Sequence, residues 1–207
     1  MLTKEELLEK VKECPFYNQI PVFFTNEDKE NFYGKHAFRK YAFYYTYVKL
    51  FKPETILEIG VRNGYSLLSM MSADENVYID GVDNETEKIF ENVNQYINEN
   101  VRLIHETSDK FFEINRSQVF GNDKYQFSGI DMYDLIHIDG DHSYEQCKKD
   151  ITNAFEIAND IIVIDDSIAI GTVKQALEEV LEANRDKIDW YNTYDCIYGG
   201  HTIIKIK

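Results

Sequence analysis

Short apolar runs alternate with longer segments of helical period from Thr55 onward, and this alternation constrains the fold more than any other feature. Five runs are predicted strands, at 55–60, 77–83, 101–107, 133–139 and 160–166. Helical patterns separate them near 64–73, 86–99, 109–119, 143–158 and 172–186. Apolar strands that alternate with helices are typical of a parallel sheet covered on both faces. The sequence therefore predicts an open, doubly wound α/β fold.

The last 20 residues carry a different pattern. Two further strands, 188–195 and 201–207, flank the turn residues Gly199 and Gly200 and predict an antiparallel hairpin. The hairpin completes a mostly parallel sheet of seven strands. Two helices have predicted capping boxes at their starts, Ser143-x-x-Gln146 and Thr172-x-x-Gln175.

The first 50 residues are rich in Phe and Tyr and show little periodicity before about residue 35. We interpret residues 1–52 as a helical cap added to a core domain at 53–207. One interpretation is a hydrophobic cover for the sheet. The other is a lid whose aromatic side chains line a substrate pocket or a dimer contact.

Composition narrows the classes of partner. The chain has 207 residues, a net charge of -15 and a pI near 4.7. This charge argues against nucleic acid and anionic membranes as partners, and no apolar run approaches transmembrane length. The three cysteines, Cys14, Cys147 and Cys196, show no CxxC spacing, which indicates a reducing cytoplasm.

Carboxylates end two of the predicted strands. Asp139 follows one strand, and Asp165 and Asp166 follow the next. No Lys or Arg lies between residues 130 and 147 or between 150 and 173, so the sequence nearby offers no counter-ion. We therefore expect the balancing charge to come from outside the chain, as a metal ion, a cationic ligand or both. Oxygen ligands favour Mg²⁺ or Mn²⁺, although a tight turn at Asp139 and a cap at Asp165 are alternative interpretations.

A glycine turn follows the first strand in the pattern Glu58-x-Gly60-x-x-x-Gly64. A dinucleotide loop would read GxGxxG, whereas ExGxxxG is typical of S-adenosylmethionine (SAM) sites. Asp83 ends the next strand, where a carboxylate accepts hydrogen bonds from ribose hydroxyls. Further candidates for cofactor contact are Asn63, Ser66, Ser108 and Asp109, the last two being equally suited to cap a helix.

Two adjacent residues compete for the role of general base. His142 lies three residues beyond Asp139, where its imidazole could reach a substrate hydroxyl, and Asp141 is its rival. Exposed turn residues are the alternative interpretation of both.

These residues resemble a known family when they are taken in chain order. The glycine turn, Asp83, the segment from Ile138 to Glu145 (IDGDHSYE) and the segment from Ile164 to Asp166 resemble class I SAM-dependent methyltransferases over about 53–207. Within that class the chain looks like the metal-dependent sugar and small-molecule O-methyltransferases of the macrocin and mycinamicin type, grouped with cephalosporin-hydroxylase-like proteins. The resemblance implies a Rossmann-like methyltransferase fold, Mg²⁺ held by Asp139, Asp165 and Asp166, and His142 or Asp141 as base.

The function expected from this resemblance is methylation of a hydroxyl on a small-molecule acceptor such as a sugar or nucleotide sugar. A homo-oligomer is compatible with it. One alternative is a metal-free SAM methyltransferase that acts on nitrogen or carboxylate. The other is a non-catalytic nucleotide-binding or assembly module that has kept the fold, since many functions share such sheets.

Overall fold

Seven strands form one sheet in this computed structural model, which describes residues 2–19, 23, 39–85, 95–119, 132–195 and 197–207, with the backbone alone at 115–119. The strands are β1 (Thr55–Ile59), β2 (Tyr78–Asp83), β3 (Val101–His105), β4 (Tyr133–Ile138), β5 (Ala158–Ile164), β6 (Ile188–Tyr194) and β7 (His201–Ile206). Their order is β3-β2-β1-β4-β5-β7-β6. The first five are parallel, and β7 pairs antiparallel with both β5 and β6. The predicted fold class and the C-terminal hairpin are confirmed.

Helices cover both faces of the sheet. They are α1 (Lys4–Lys12), α2 (Arg39–Phe51), α3 (Tyr65–Met71), α4 (Ser108–Val119), α5 (Tyr144–Ile157) and α6 (Gly171–Ala183), with short 3₁₀ turns at Pro15–Tyr17 and Arg185–Lys187. Among the described residues, no helix is long and apolar enough to cross a membrane.

Successive side chains of each central strand point to opposite faces and so build two hydrophobic clusters. Ile56, Leu135 and Ile161 pack with α1, α2 and α3. The residues that follow them, Leu57, Ile136 and Ile162, pack with α4, α5 and α6. Each of these central strands is therefore buried on both sides, which explains why its sequence is a continuous apolar run rather than an alternating one.

The helical cap predicted for the N-terminus packs directly on the first of these clusters. Leu7 and Val11 of α1 and Phe43 and Tyr47 of α2 are buried there. Where it is described, the aromatic region is therefore a cover for the sheet. The aromatic residues between 24 and 38 lie outside the described residues, and the boundary at 52/53 stays a prediction.

Three local predictions are wrong. Ser143 is the N-cap of α5, but its side chain makes no capping hydrogen bond, and the Gln146 side chain bonds to Ser108, Asp109 and Asp150 instead of completing the box. Helix α6 begins one residue before Thr172, whose hydroxyl donates to the His142 carbonyl at 2.6 Å. Residues 95–99 of the predicted helix 86–99 are not helical, and the remainder lies outside the described residues.

Candidate active site

The carboxyl ends of β1, β2 and β4 meet at one edge of the sheet, and Gly60 brings the first and third of them together. Gly60 has a φ of 88°, and a Cβ atom there would lie 2.2 Å from the Asp139 carbonyl oxygen. The Asp139 amide donates to the Ile59 carbonyl at 2.9 Å, and the Gly60 amide donates to Val82 at 2.9 Å. Only glycine permits this approach of two backbones. The turn after β1 therefore opens beside Asp139.

A cavity of about 700 Å³ lies along this edge. It is lined by five of the residues predicted to bind a cofactor, namely Gly60, Asn63, Asp83, Ser108 and Asp109. Asp139 and Asp141 line it as well. In open α/β sheets, ligands bind outside the carboxyl ends of the strands, so the cavity lies where a cofactor is expected.

Asp83 is held at the end of β2 by backbone amides. Its Oδ2 accepts from the Arg62 amide at 2.8 Å and its Oδ1 accepts from the Glu85 amide at 2.7 Å. Each carboxylate oxygen can accept a further hydrogen bond, because it has two lone pairs. The side chain is thus fixed at the cavity wall and can accept hydrogen bonds from a diol.

Three other predicted cofactor residues do not line this cavity. Glu58 is fully buried, and its Oε1 lies 3.1 Å from His137 Nδ1 on the neighbouring strand. Glu58 Oε2 and His137 Nε2 have no hydrogen-bond partner among the described residues. Gly64, with a φ of 75°, is the N-cap of α3, and Ser66 is buried in the first turn of that helix. Strand alternation explains Glu58, because it turns that side chain toward the cover and away from the strand end.

The Asp165 carboxylate is fully buried and is surrounded by groups that can donate to it. Its Oδ2 accepts from the Tyr44 hydroxyl at 2.8 Å and forms an ion pair with Lys40 Nζ. Its Oδ1 accepts from the Asp166 amide at 2.7 Å and lies 2.9 Å from His201 Nε2, although that contact falls short of hydrogen-bond geometry. The expectation that the balancing charge comes from outside the chain is therefore wrong for Asp165, because α2 supplies Lys40.

The charges of this cluster shift one another. Burial alone would raise the pKa of Asp165, but the His201 ring and the Lys40 ammonium hold that pKa well below its ordinary value. Burial lowers the pKa of His201, although the neighbouring Asp165 charge opposes that shift. Desolvation, followed by the nearby Asp165 charge, raises the pKa of Asp139 to about 6. The charge of Asp139 is therefore less well compensated than that of Asp165.

The two candidate bases point in different directions. His142 Nε2 lies 3.3 Å from Asp139 Oδ1 and 3.8 Å from Asp166 Oδ2. Its ring therefore faces the acidic cluster, by which we mean Asp139, Asp165 and Asp166. The hydrogen bond to Asp139 raises the pKa of His142. Asp141 is exposed at the cavity rim, and its Oδ1 accepts from the Ser143 amide at 2.7 Å.

Two overlapping groups of side chains have the spacing of metal ligands. The ligand atoms of Asp139, His142 and Asp166 lie within 4.8 Å of one another, and so do those of His137, Asp139 and Asp165. The first group fits a divalent ion, because its donor atoms are half-buried and reachable. In the second group, Lys40 and Tyr44 already occupy Asp165 Oδ2.

Sequence reasoning missed Lys40, Tyr44 and His201. Lys40 and Tyr44 are four residues apart on α2 and therefore share one face of that helix. A lysine on the same stripe as buried aromatic residues was the available signal. No sequence signal indicated His201, because its position at the site depends on β7 lying next to β5.

Comparison with known proteins agrees with this geometry. The sequence matches the model of a family described as a methyltransferase domain over residues 57–167, which is more than half of the chain. No curated protein matches it.

Three solved structures share the fold. An O-methyltransferase from Bacillus cereus in complex with S-adenosylhomocysteine (SAH) has a TM-score of 0.61 at 15% identity, with 99% of this chain and 90% of that chain covered. An SAH-bound methyltransferase from Podospora anserina has a TM-score of 0.61 at 19% identity, with 97% and 87% covered. The O-methyltransferase TomG from Streptomyces achromogenes, in complex with SAM, has a TM-score of 0.58 at 12% identity, with 100% and 92% covered. Because the family model matches more than half of the chain, and these structures share its fold, the chain belongs to the methyltransferase-domain family.

Proposed function

We propose that the protein transfers the methyl group of SAM to a hydroxyl of a sugar or another small molecule. One observation carries this proposal: Asp139 lines the cavity that holds the predicted cofactor residues and also belongs to the acidic cluster. A methyl donor in the cavity and an acceptor at the cluster would therefore meet at the end of β4.

The cavity suits the donor for two reasons. Asp83 offers a fixed carboxylate for ribose hydroxyls, and Ser108 and Asp109 line the same cavity beyond the end of β3. Glu58 and His137 contact each other on neighbouring strands and do not line this cavity. The SAH and SAM bound to the relatives from Bacillus cereus and Streptomyces achromogenes support the same cofactor here.

The acidic cluster suits a divalent cation such as Mg²⁺ or Mn²⁺. Asp139 and Asp166 would hold it with His142 beside them, and Asp165 would join them on release of Lys40. A bound divalent ion supplies positive charge that favours ionisation of an acceptor hydroxyl. The residues themselves hold the acceptor near the donor, which supplies most of the acceleration through alignment.

His142 is the proposed base, because its ring faces the cluster and a neutral imidazole can accept a proton near neutral pH. Asp141 is the alternative, since it also lines the cavity. The hydrogen bond to Asp139, followed by the charges of Asp139 and Asp166, raises the pKa of His142 against the opposing effect of its own burial and so favours proton uptake there.

The test is methyl transfer from radiolabelled SAM to a panel of sugars, nucleotide sugars and vicinal diols, with Mg²⁺ or with a chelator. We expect calorimetry to show SAH binding more tightly than NAD, and at least one hydroxyl acceptor to be methylated only when Mg²⁺ is present. NAD binding as tight as SAH would refute the cofactor. Tight SAM binding without turnover on any acceptor would support a non-catalytic module instead.

A second candidate function is metal-independent methylation of a nitrogen or a carboxylate. The ion pair of Lys40 with Asp165 favours it, because this chain already supplies one cation to the cluster. Full activity in the presence of a chelator would choose this candidate.

A further inference from the structure

Lys40 lies where an incoming cation would have to bind. Its Nζ forms an ion pair with Asp165 Oδ2 and lies 3.8 Å from Asp139 Oδ2. The side chain is 16% exposed, so most of it is enclosed by the cover and the sheet. Lys40 therefore bridges carboxylates at the ends of two neighbouring strands, β4 and β5.

Both oxygens of the Asp165 carboxylate already have close polar neighbours, and Oδ2 has two of them. Oδ2 accepts from Tyr44 and is paired with Lys40, while Oδ1 accepts from the Asp166 amide and lies against His201. Tyr44 and Lys40 come from the same face of α2, so one helix fixes both contacts. A metal ion that took Oδ2 would have to displace the ammonium.

Electrostatic repulsion between the Lys40 ammonium and a metal ion also favours displacement of the ammonium. Two cations that share a carboxylate repel each other, and the repulsion is strong where water is scarce. Asp139 is the carboxylate that both would use, because it lies near Lys40 and also belongs to the half-buried group with His142 and Asp166. The ammonium and a divalent ion therefore exclude one another at Asp139 and Asp165.

We propose that Lys40 is an internal counter-ion that competes with the divalent cation and so sets the affinity of the site for metal. The proposal rests on the metal-dependent form of the proposed function. It makes Lys40 a positioning residue: it keeps the carboxylates together in the metal-free protein and gives way when the ion binds.

The test is Mn²⁺ binding to the full chain, followed by electron paramagnetic resonance and calorimetry. We compare the wild type with Lys40→Met, Lys40→Gln and Lys40→Arg, and we take Lys49→Met as the control. Lys49 is an exposed lysine of the same helix, so its loss removes the same charge at a distance from the cluster.

The neutral variants should bind Mn²⁺ at least about tenfold more tightly than the wild type, since they remove a competing charge. Lys40→Arg and Lys49→Met should bind Mn²⁺ with the affinity of the wild type. Unchanged or weaker binding by both neutral variants, or no Mn²⁺ binding by any protein, would overturn the competition. A purely structural role for Lys40 would lower the melting temperature of the variants without tightening Mn²⁺ binding.

A second measurement avoids variants that fail to fold. In the wild type, displacement of Lys40 by Mg²⁺ should expose its amine, so acetylation at Lys40 should speed up on metal addition while acetylation at Lys49 stays constant. Protection or no change at Lys40 would overturn the proposal. SAH binding to the same samples separates this outcome from a failure of the methyltransferase function itself.

Discussion

Lys40 of α2 and Asp165 at the end of β5 form an ion pair in which the carboxylate is fully buried and the lysine side chain is 16% exposed. The pair joins the N-terminal cover to the carboxyl edge of the sheet. A buried pair of this kind contributes little net stability when it is whole, but it is costly to break by removing one partner.

Asp165→Asn should therefore lower the free energy of unfolding by about 3 to 5 kcal/mol, because it leaves the Lys40 ammonium buried without its partner. The double variant with Lys40→Met should recover part of that loss. Urea unfolding measures both. Asp195→Asn is the control, because its pair with Lys4 is exposed, and it should cost much less stability. Equal losses in the two single variants would contradict this account.

Asp83→Ala should weaken SAH binding at least about tenfold, since it removes charge-assisted hydrogen bonds to ribose. Calorimetry measures the change. Asp189→Ala, an exposed aspartate on β6, removes the same charge away from this cavity and should leave the affinity unchanged. If both variants bound SAH like the wild type, the ribose would lie elsewhere.

His142→Ala should lower kcat by roughly 10² to 10⁴ with almost unchanged SAM affinity, which is the usual range for loss of a positioned base. Asp141→Ala should lower it less, because that side chain is exposed and bonded to the Ser143 amide. Steady-state kinetics with an identified acceptor decide the matter. The reverse order of effects would assign the proton to Asp141.

Asp150 should make stability depend on pH in the acid range. The side chain is buried, and burial raises its pKa to about 6, although Ser108 and Gln146 bond to it. The folded state therefore holds the proton above pH 4, where the unfolded state has lost it, and stability falls as pH rises from about 4 to 6.

Relative to the wild type, Asp150→Asn should gain stability over this window, by at most about 3 kcal/mol. Unfolding curves at several pH values measure the difference. Asp109→Asn should differ from the wild type by a nearly constant amount above pH 4, because hydrogen bonds from Gln146 and Lys149 lower the pKa of Asp109 and so place its pH dependence below that window. A constant difference between wild type and Asp150→Asn from pH 4 to 7 would show that the carboxylate is hydrated.

Gly199→Ala, in the turn before β7, should displace Asp166 and so disturb the acidic cluster. Gly199 has a φ of 82°, and a Cβ atom there would lie 1.8 Å from Asp166 Oδ1. We expect a loss of about 1 to 3 kcal/mol from backbone strain alone, with weaker Mn²⁺ binding as Asp166 moves. Gly171→Ala is the control, because a Cβ atom there meets nothing within 4 Å, and it should change stability by less than about 0.5 kcal/mol. Equal effects of the two substitutions would refute the contact with Asp166.

Local patterns predicted the sheet well because its central strands are buried on both faces and are continuous apolar runs, as β4 and β5 are. They also placed Gly60, Asp83 and Asp139 at one edge, because parallel strands end together. They failed at the capping boxes, where Gln146 bonds across to α4 instead of to its own helix start. Spacing within one helix does not show whether a partner from another helix competes.

The ion pair at Asp165 could not be predicted for a different reason. Lys40 is distant from Asp165 in sequence, and absence of a lysine nearby in the chain did not mean absence in space. Tertiary packing of α2 against the sheet decides that contact, and the buried residues Phe43 and Tyr47 carry it. Arguments from local charge therefore apply only to counter-ions that belong to the same turn.

The position of β7 between β5 and β6 has a consequence for biosynthesis. Asp165 leaves the ribosome before His201, and β6 leaves before the strand that separates it from β5. A nascent chain that ends after β6 therefore keeps a gap in its sheet, and the acidic cluster stays hydrated until β7 inserts. Ligand binding at this edge therefore depends on β7, although most of the residues that line the site precede that strand in the chain.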